Sequence, residues 1–170
     1  SLTIIDKSYN FTPSYNNSEA ICLSSEVAYN ALCFPVVSAI DKNAPALFIL
    51  GQYLSFNYLW NKIRIESGAY GANSFFSTLG GVFGLSTYRD PHIIKSYNTF
   101  YKCVDHILND MNQSQDEIEQ CIIGSLKKLD KPVRPGNAVN LALSKYLRNI
   151  TDDKRYRFRE KLLTINYKDI

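Results

Sequence analysis

Arg64 and Tyr70 lie on either side of Gly68, in a stretch that carries five of the chain's eight glycines: Gly68, Gly71, Gly80, Gly81 and Gly84. A guanidinium and a phenol are both hydrogen-bond donors. Placed beside an attacked peptide carbonyl, such donors favour the negative charge that develops on its oxygen. Neighbouring glycines let a backbone turn tightly or approach another chain closely. The same residues also fit plainer roles: Arg64 as a cation at a helix C-terminus, Tyr70 as an ordinary strand aromatic. Spacing alone leaves both readings open.

No self-contained catalytic set accompanies them. The two histidines, His92 and His106, belong to neither His-Glu-x-x-His nor the inverted His-x-x-Glu-His, so no zinc site of those types is encoded. His106 falls on the polar side of its helix stripe and reads as a surface residue, as does His92 in a helix first turn. There is no Gly-x-Ser-x-Gly elbow and no P-loop. Gly80-Gly81-Val82-Phe83-Gly84 lies between strand-like segments, not at a strand-to-helix turn, which argues against a phosphate cradle. The four cysteines, Cys22, Cys33, Cys103 and Cys121, form no Cys-x-x-Cys and have apolar neighbours. They read as buried free thiols, which fits a reducing compartment.

The elements that must position Arg64 and Tyr70 follow from pattern. At 170 residues, 45% hydrophobic and 21% charged, the chain has the size and composition of one soluble globular domain with a real core. Residues 1–17 read as an irregular entry with a short strand at 2–5, and 18–170 as a single α+β domain. Runs at 20–23 and 27–37 read as strands. Asn43-Ala44-Pro45 opens a helix, with an apolar stripe at Ile49, Tyr53, Phe56, Trp60 and Ile63. No charge separates Lys42 from Lys62. A membrane span needs ~20 predominantly apolar residues, and Asn43, Gln52, Asn57 and Asn61 interrupt this run, so a helix buried in protein is expected. Two antiparallel strands follow at 70–77 and 82–88.

Asp90 reads as an N-cap and Pro91 as the first residue of a helix striped by Ile93, Ile94, Tyr97, Phe100, Tyr101, Val104, Ile107 and Leu108. Ser114-Gln115-Asp116-Glu117 reads as a capping box before a helix with Ile118, Cys121, Ile122, Leu126 and Leu129 on one face. Residues 131–136 form a proline-bearing loop, and helices follow from 137 to 149 and after Thr151. The order implies α+β: an antiparallel β-sheet packed by helices on one face. Net charge is +3, too small to argue for nucleic acid; residues 114–170 hold 12 Lys+Arg and 8 Asp+Glu, read as a solvated helical surface. The chain opens Ser-Leu-Thr without an initiator, and its only methionine is Met111, so it reads as a piece of a longer protein without a signal peptide of its own.

Tyr58-Leu59-Trp60-Asn61-Lys62-Ile63-Arg64, Ser67-Gly68-Ala69-Tyr70-Gly71-Ala72, Gly81-Val82-Phe83 and Ser86-Thr87-Tyr88-Arg89-Asp90-Pro91 together carry a specific likeness. They resemble the C-terminal portion of the presequence protease branch, which includes falcilysin-like enzymes, of the pitrilysin/insulinase zinc metallopeptidases. Weaker likeness continues through Cys121-Ile122-Ile123-Gly124-Ser125, Leu129-Asp130-Lys131-Pro132 and Lys145-Tyr146-Leu147. One departure is Glu66-Ser67, where the family often has a second glycine or a small polar pair.

The resemblance implies the C-terminal, non-zinc-binding domain of a peptide-degrading metalloendopeptidase built from four similar α+β domains in two halves. Zn²⁺ would be held by the N-terminal half of the same polypeptide and none by this chain, which alone would be inactive. Partners would be that catalytic half and peptide substrates, with no nucleic acid and no membrane span. Arg64 would hydrogen-bond substrate backbone and Tyr70 would donate to the developing oxyanion. Gly68, Ala69, Tyr70, Gly71 and Arg64 would line the substrate. Tyr88, Arg89 and Trp60 would be structural, with Arg89 paired to a carboxylate or carbonyl. The alternative is a catalytically inactive scaffold or interaction subunit of the same fold, as among core subunits of respiratory complexes. The parent would be organellar (mitochondrion-related or plastid-like) or cytoplasmic.

Overall fold

The computed structural model describes residues 18–38, 41–78, 80–111 and 114–170. The strand suggested at 2–5 lies outside them. Three antiparallel strands, β1 (Ala31–Pro35), β2 (Gly71–Ser77) and β3 (Val82–Tyr88), form one sheet in the order β1-β3-β2. Alternation divides its faces. Ser74 and Phe76 of β2 and Phe83, Leu85 and Thr87 of β3 are buried, whereas Asn73, Phe75 and Tyr88 are exposed. The buried face packs on the long helix that runs from α1 (Ala44–Tyr53) into a π-helical segment (Leu54–Ile65). On the far side of α1 lie α4 (Gln115–Leu129) and α6 (Asp152–Leu163). Between sheet and α4 run α2 (Ile94–Tyr101), the short α3 (Cys103–Asp105) and a π turn (His106–Asp110); α5 (Pro135–Leu147) precedes α6. The α+β architecture is as expected. No helix among the described residues is long and apolar enough to cross a membrane.

Two apolar clusters share the long helix. One, against the sheet, gathers Leu54, Leu59, Ile63, Phe76, Leu85 and Phe100. The other joins Ile49 and Tyr53 to Ile118, Ile122, Leu162 and Ile165. The sequence stripe predicted Phe56 and Trp60 inside; both are exposed, at 53% and 37%. The reason is the change of winding. The buried positions after Tyr53 are Leu54, Ser55, Tyr58, Leu59 and Ile63, a spacing of four to five that suits i→i+5 bonding rather than an α period. The switch occurs where side chains enter the ladder. The Gly51 carbonyl accepts from Ser55 Oγ (2.8 Å) and from Ser74 Oγ (2.6 Å) on β2, and Ser74 N–H donates to Ser55 Oγ (2.8 Å).

Several local expectations fail for identifiable reasons. The runs at 20–23 and 27–30 are not strands; among the described residues before β1, only Ala28 bridges, to Asp90. Asp90 does not cap α2, which starts at Ile94. Its carboxylate is fully buried instead. It accepts from Asn30 Nδ2 (3.1 Å), Ser96 Oγ (2.6 Å) and the His92 N–H (2.9 Å). Ser114 makes no side-chain cap bond, so the capping box does not form. Pro135 serves as a first-turn residue of α5 rather than a loop breaker. Thr151 Oγ1 does cap α6, accepting from Lys154 N–H at 3.3 Å. Along α2 and beyond, Ile93, Ile94, Tyr101, Val104 and Leu108 are exposed, leaving Phe100 as the main core contribution. Cys103 and Cys121 are buried, but Cys22 and Cys33 are exposed.

Truncating the Asp90 carboxylate leaves buried donors without an acceptor, a loss of roughly 2–4 kcal/mol. Asp90→Ala is therefore expected to lower the unfolding midpoint in urea sharply, with Ser96→Ala causing a smaller drop. An Asp90→Ala chain as stable as wild type would show that the network does not hold the fold.

Candidate functional site

Arg64 lies in the last turn of the π-helical segment, and the turn that follows is closed by backbone bonds. Glu66 N–H donates to Asn61 O (2.9 Å), Gly68 N–H to Arg64 O (3.1 Å) and Ala69 N–H to Ile63 O (3.2 Å). The last two are each one residue wider than the bonds of a Schellman stop, as π winding requires. Gly68 takes φ +79, a left-handed conformation that a Cβ disfavours. The Glu66-Ser67 departure is accommodated: Ser67 Oγ caps the Lys62 carbonyl at 2.7 Å, and Glu66 pairs with Lys62 at 2.9 Å. The chain then enters β2, with Tyr70 N–H donating to Arg89 O at 3.2 Å and Gly71 opposite Tyr88.

The Arg64 guanidinium lies 3.9 Å above the centroid of the Trp60 ring, a cation–π contact across one turn. Among the described residues no carboxylate pairs with it. Tyr70 is 67% exposed. Its ring meets Tyr88 edge-on at 5.8 Å, and Tyr88 meets Tyr29 edge-on at 5.2 Å. These three tyrosines form a row at one end of the open sheet face. Both side chains thus have their apolar parts fixed by aromatic neighbours. No hydrogen bond or ring contact links Arg64 directly to Tyr70 among the described residues.

The remaining expected residues divide. Gly68 is exposed, and only the Pro91 side chain would come near an added Cβ, at 4.0 Å. An added Cβ on Gly71 would meet Tyr88 Cβ at an ordinary 3.8 Å, so nothing within the chain demands glycine there. The Ala69 methyl is buried in the sheet-facing core, which leaves only its main chain to meet a ligand. Trp60 is not core but the platform under Arg64. Arg89 pairs with no carboxylate among the described residues; it sits at φ 49 and contributes its carbonyl, held between Tyr70 and the Asp90 network. Sequence reasoning left the tyrosine row unassembled. Its signal was available in the cross-strand pairing of Gly71 with Tyr88 and the extension of β3 toward Ala28.

Behind the π-helical segment, Tyr58 donates to the Thr99 carbonyl (3.0 Å) and stacks at 4.5 Å on His106. His106 is therefore packed against Tyr58 rather than set on an open surface, with Nδ1 3.7 Å from Asp110. Burial, with Cys103 and nearby carboxylates adding to it, pushes the Tyr58 phenol up to about 12. Burial also raises the Cys121 thiol to about 11. Among the described residues no three His, Cys, Asp or Glu side chains gather as metal ligands.

A family model described as the PreP C-terminal domain matches residues 18–170. A mitochondrial presequence protease of Kluyveromyces lactis is 33% identical over 85% of this chain and 14% of its own length. Protein HypA of Clostridium perfringens is 35% identical over 95% of the chain and 16% of its own. A chloroplastic/mitochondrial presequence protease of Arabidopsis thaliana is 28% identical over 89% and 14%. The chain thus spans about one seventh of the length of the curated relatives it matches.

Because the Tyr58 pKa is raised from 10.0 to about 12 on folding, its contribution to stability is complete below pH 10 and is lost as pH rises through about 12. Ultraviolet titration should show a phenol ionising near pH 12 that is absent in Tyr58→Phe. An unchanged titration curve in that variant would remove Tyr58 from its buried, hydrogen-bonded place.

Proposed function

The chain belongs to the family of PreP C-terminal domains, and on that footing we propose that it is the substrate-clamping domain of a larger peptide-degrading metalloendopeptidase. Among the described residues no three His, Cys, Asp or Glu side chains gather that could hold the zinc the resemblance implies. That zinc would be held by the N-terminal half of the parent polypeptide. What this chain supplies is hydrogen-bond donation.

The observation that carries the reading is the pair of donors at the helix-to-strand turn. The Tyr70 phenol is exposed, and no hydrogen bond engages its hydroxyl among the described residues. The Arg64 guanidinium rests on Trp60 with its N–H edges uncommitted to any described carboxylate. A phenol so placed donates to a carbonyl oxygen as it takes on negative charge, stabilising the tetrahedral intermediate. A guanidinium donates to substrate backbone carbonyls and fixes the peptide's register. Gly71, unconstrained by its own fold, gives a peptide backbone room to approach beside Tyr70.

The test is Tyr70→Phe in the full-length parent protein. Loss of an oxyanion donor costs of order 10²-fold or more in kcat, with KM little changed because the bond strengthens only in the transition state. Arg64→Ala should raise KM instead. Unchanged kcat in Tyr70→Phe would take Tyr70 out of the mechanism.

A further inference from the structure

The basic side chains of the C-terminal third are mostly solvent-exposed, as expected, and a part of them gathers around one concavity. A cleft of about 940 Å³ opens between the loop after α4, one face of α5 and the inner side of α6. Among the described residues seven basic side chains line it, against a single acidic one, Asp130. Three of the seven are engaged. Arg159 pairs with Asp130, Arg155 with Asp152 at 3.0 Å, and Lys154 Nζ donates to the Asn149 carbonyl at 2.7 Å. The other four, Lys128, Lys131, Arg134 and Lys145, have no acidic partner among the described residues. They converge from two directions: three from the end of α4 and its loop, and Lys145 from the α5 face that also presents Asn137 and Leu141.

Like charges gathered in a concavity repel one another and focus a positive field within it. The Asp130 carboxyl is held below its usual range by the hydrogen bond from Arg159 and by the charges of Arg159 and Arg155. The cleft lining includes the part-buried apolar side chains of Leu141, Ile150 and Phe158. The volume is that of a small-molecule site rather than of a protein interface. Arginine and lysine together, in this arrangement, suit oxygen-rich anions of the phosphate type, the guanidinium by paired N–H bonds and the ammonium as a point charge.

We propose that this cleft is a binding site for a small organic oligophosphate, its phosphates held by Lys128, Lys131, Arg134 and Lys145 and its apolar portion seated on Phe158 and Leu141. The site is separate from the Arg64–Tyr70 turn, and its test does not depend on peptidase activity.

The probe is inorganic tripolyphosphate, titrated calorimetrically into the full-length parent protein at low and at high salt. Saturable binding that weakens with salt is expected. Arg134→Gln should weaken it about tenfold, and Lys131→Glu with Arg134→Glu and Lys145→Glu should abolish it. Lys95→Glu with Lys102→Glu, on exposed residues near α2, should leave it unchanged. Circular dichroism melts of each variant confirm that folding is retained. The proposal fails if no saturable heat is seen, or if the cleft and control variants lose affinity equally. It fails too if poly-glutamate binds through these residues and tripolyphosphate does not, which would make the cleft a contact for an acidic protein segment.

Discussion

The buried carboxylate of Asp90 is the joint on which the site end of this domain depends. Its two oxygens take donors from the lead-in to β1, from the segment before α2 and from α2 itself. A carboxylate removed from water is tolerable only when its acceptor capacity is filled, and here three donors of different elements fill it. Thr87 Oγ1 and the Asn30 amide extend the same network into β3. Arg89, adjacent in sequence, is thereby held in a left-handed conformation, and its carbonyl receives Tyr70. The position of the exposed phenol is set by a network that the phenol does not itself join.

A second constraint acts from the other side. The Gly51 carbonyl, occupied by two serine hydroxyls, marks the point where the long helix abandons α winding. The wider π turn brings Leu54, Tyr58, Leu59 and Ile63 against the sheet and turns Trp60 outward, where it supports Arg64. π winding is rare, appears mostly as single-turn bulges and is frequent at functional sites; a run as long as this needs compensating tertiary contacts. Here the compensation is the serine bridge to β2 and the packed apolar face. Ser67 and Gly68 then close the helix and deliver the chain into β2 within a few residues.

Much of this was legible in the sequence, and the failures share a cause. The strands at β2 and β3 were readable because glycines and alternating residues bounded them. The helix after Pro45 was readable from its start signal. Its second half was misassigned because periodicity arguments presume 3.6 residues per turn; a spacing of four to five at Leu54, Leu59 and Ile63 was the available clue. Asp90-Pro91 was read as a local cap, yet Asp90 found its partners at Asn30 and Ser96, a long-range network that no local rule anticipates. Arg64 and Tyr70 were singled out through family likeness rather than through pattern. The twelve C-terminal cations are countable in the sequence, but only the fold gathers seven of them around one cleft.

In the proposed function, the turn from Arg64 to Gly71 faces the reacting peptide. A structure of the full-length parent protein with a bound, uncleaved peptide measures this directly. The Tyr70 hydroxyl is expected within about 3 Å of the scissile carbonyl oxygen, with Arg64 in hydrogen-bonding reach of the peptide backbone. A peptide bound with its scissile bond elsewhere, and both side chains facing open solvent, would contradict it.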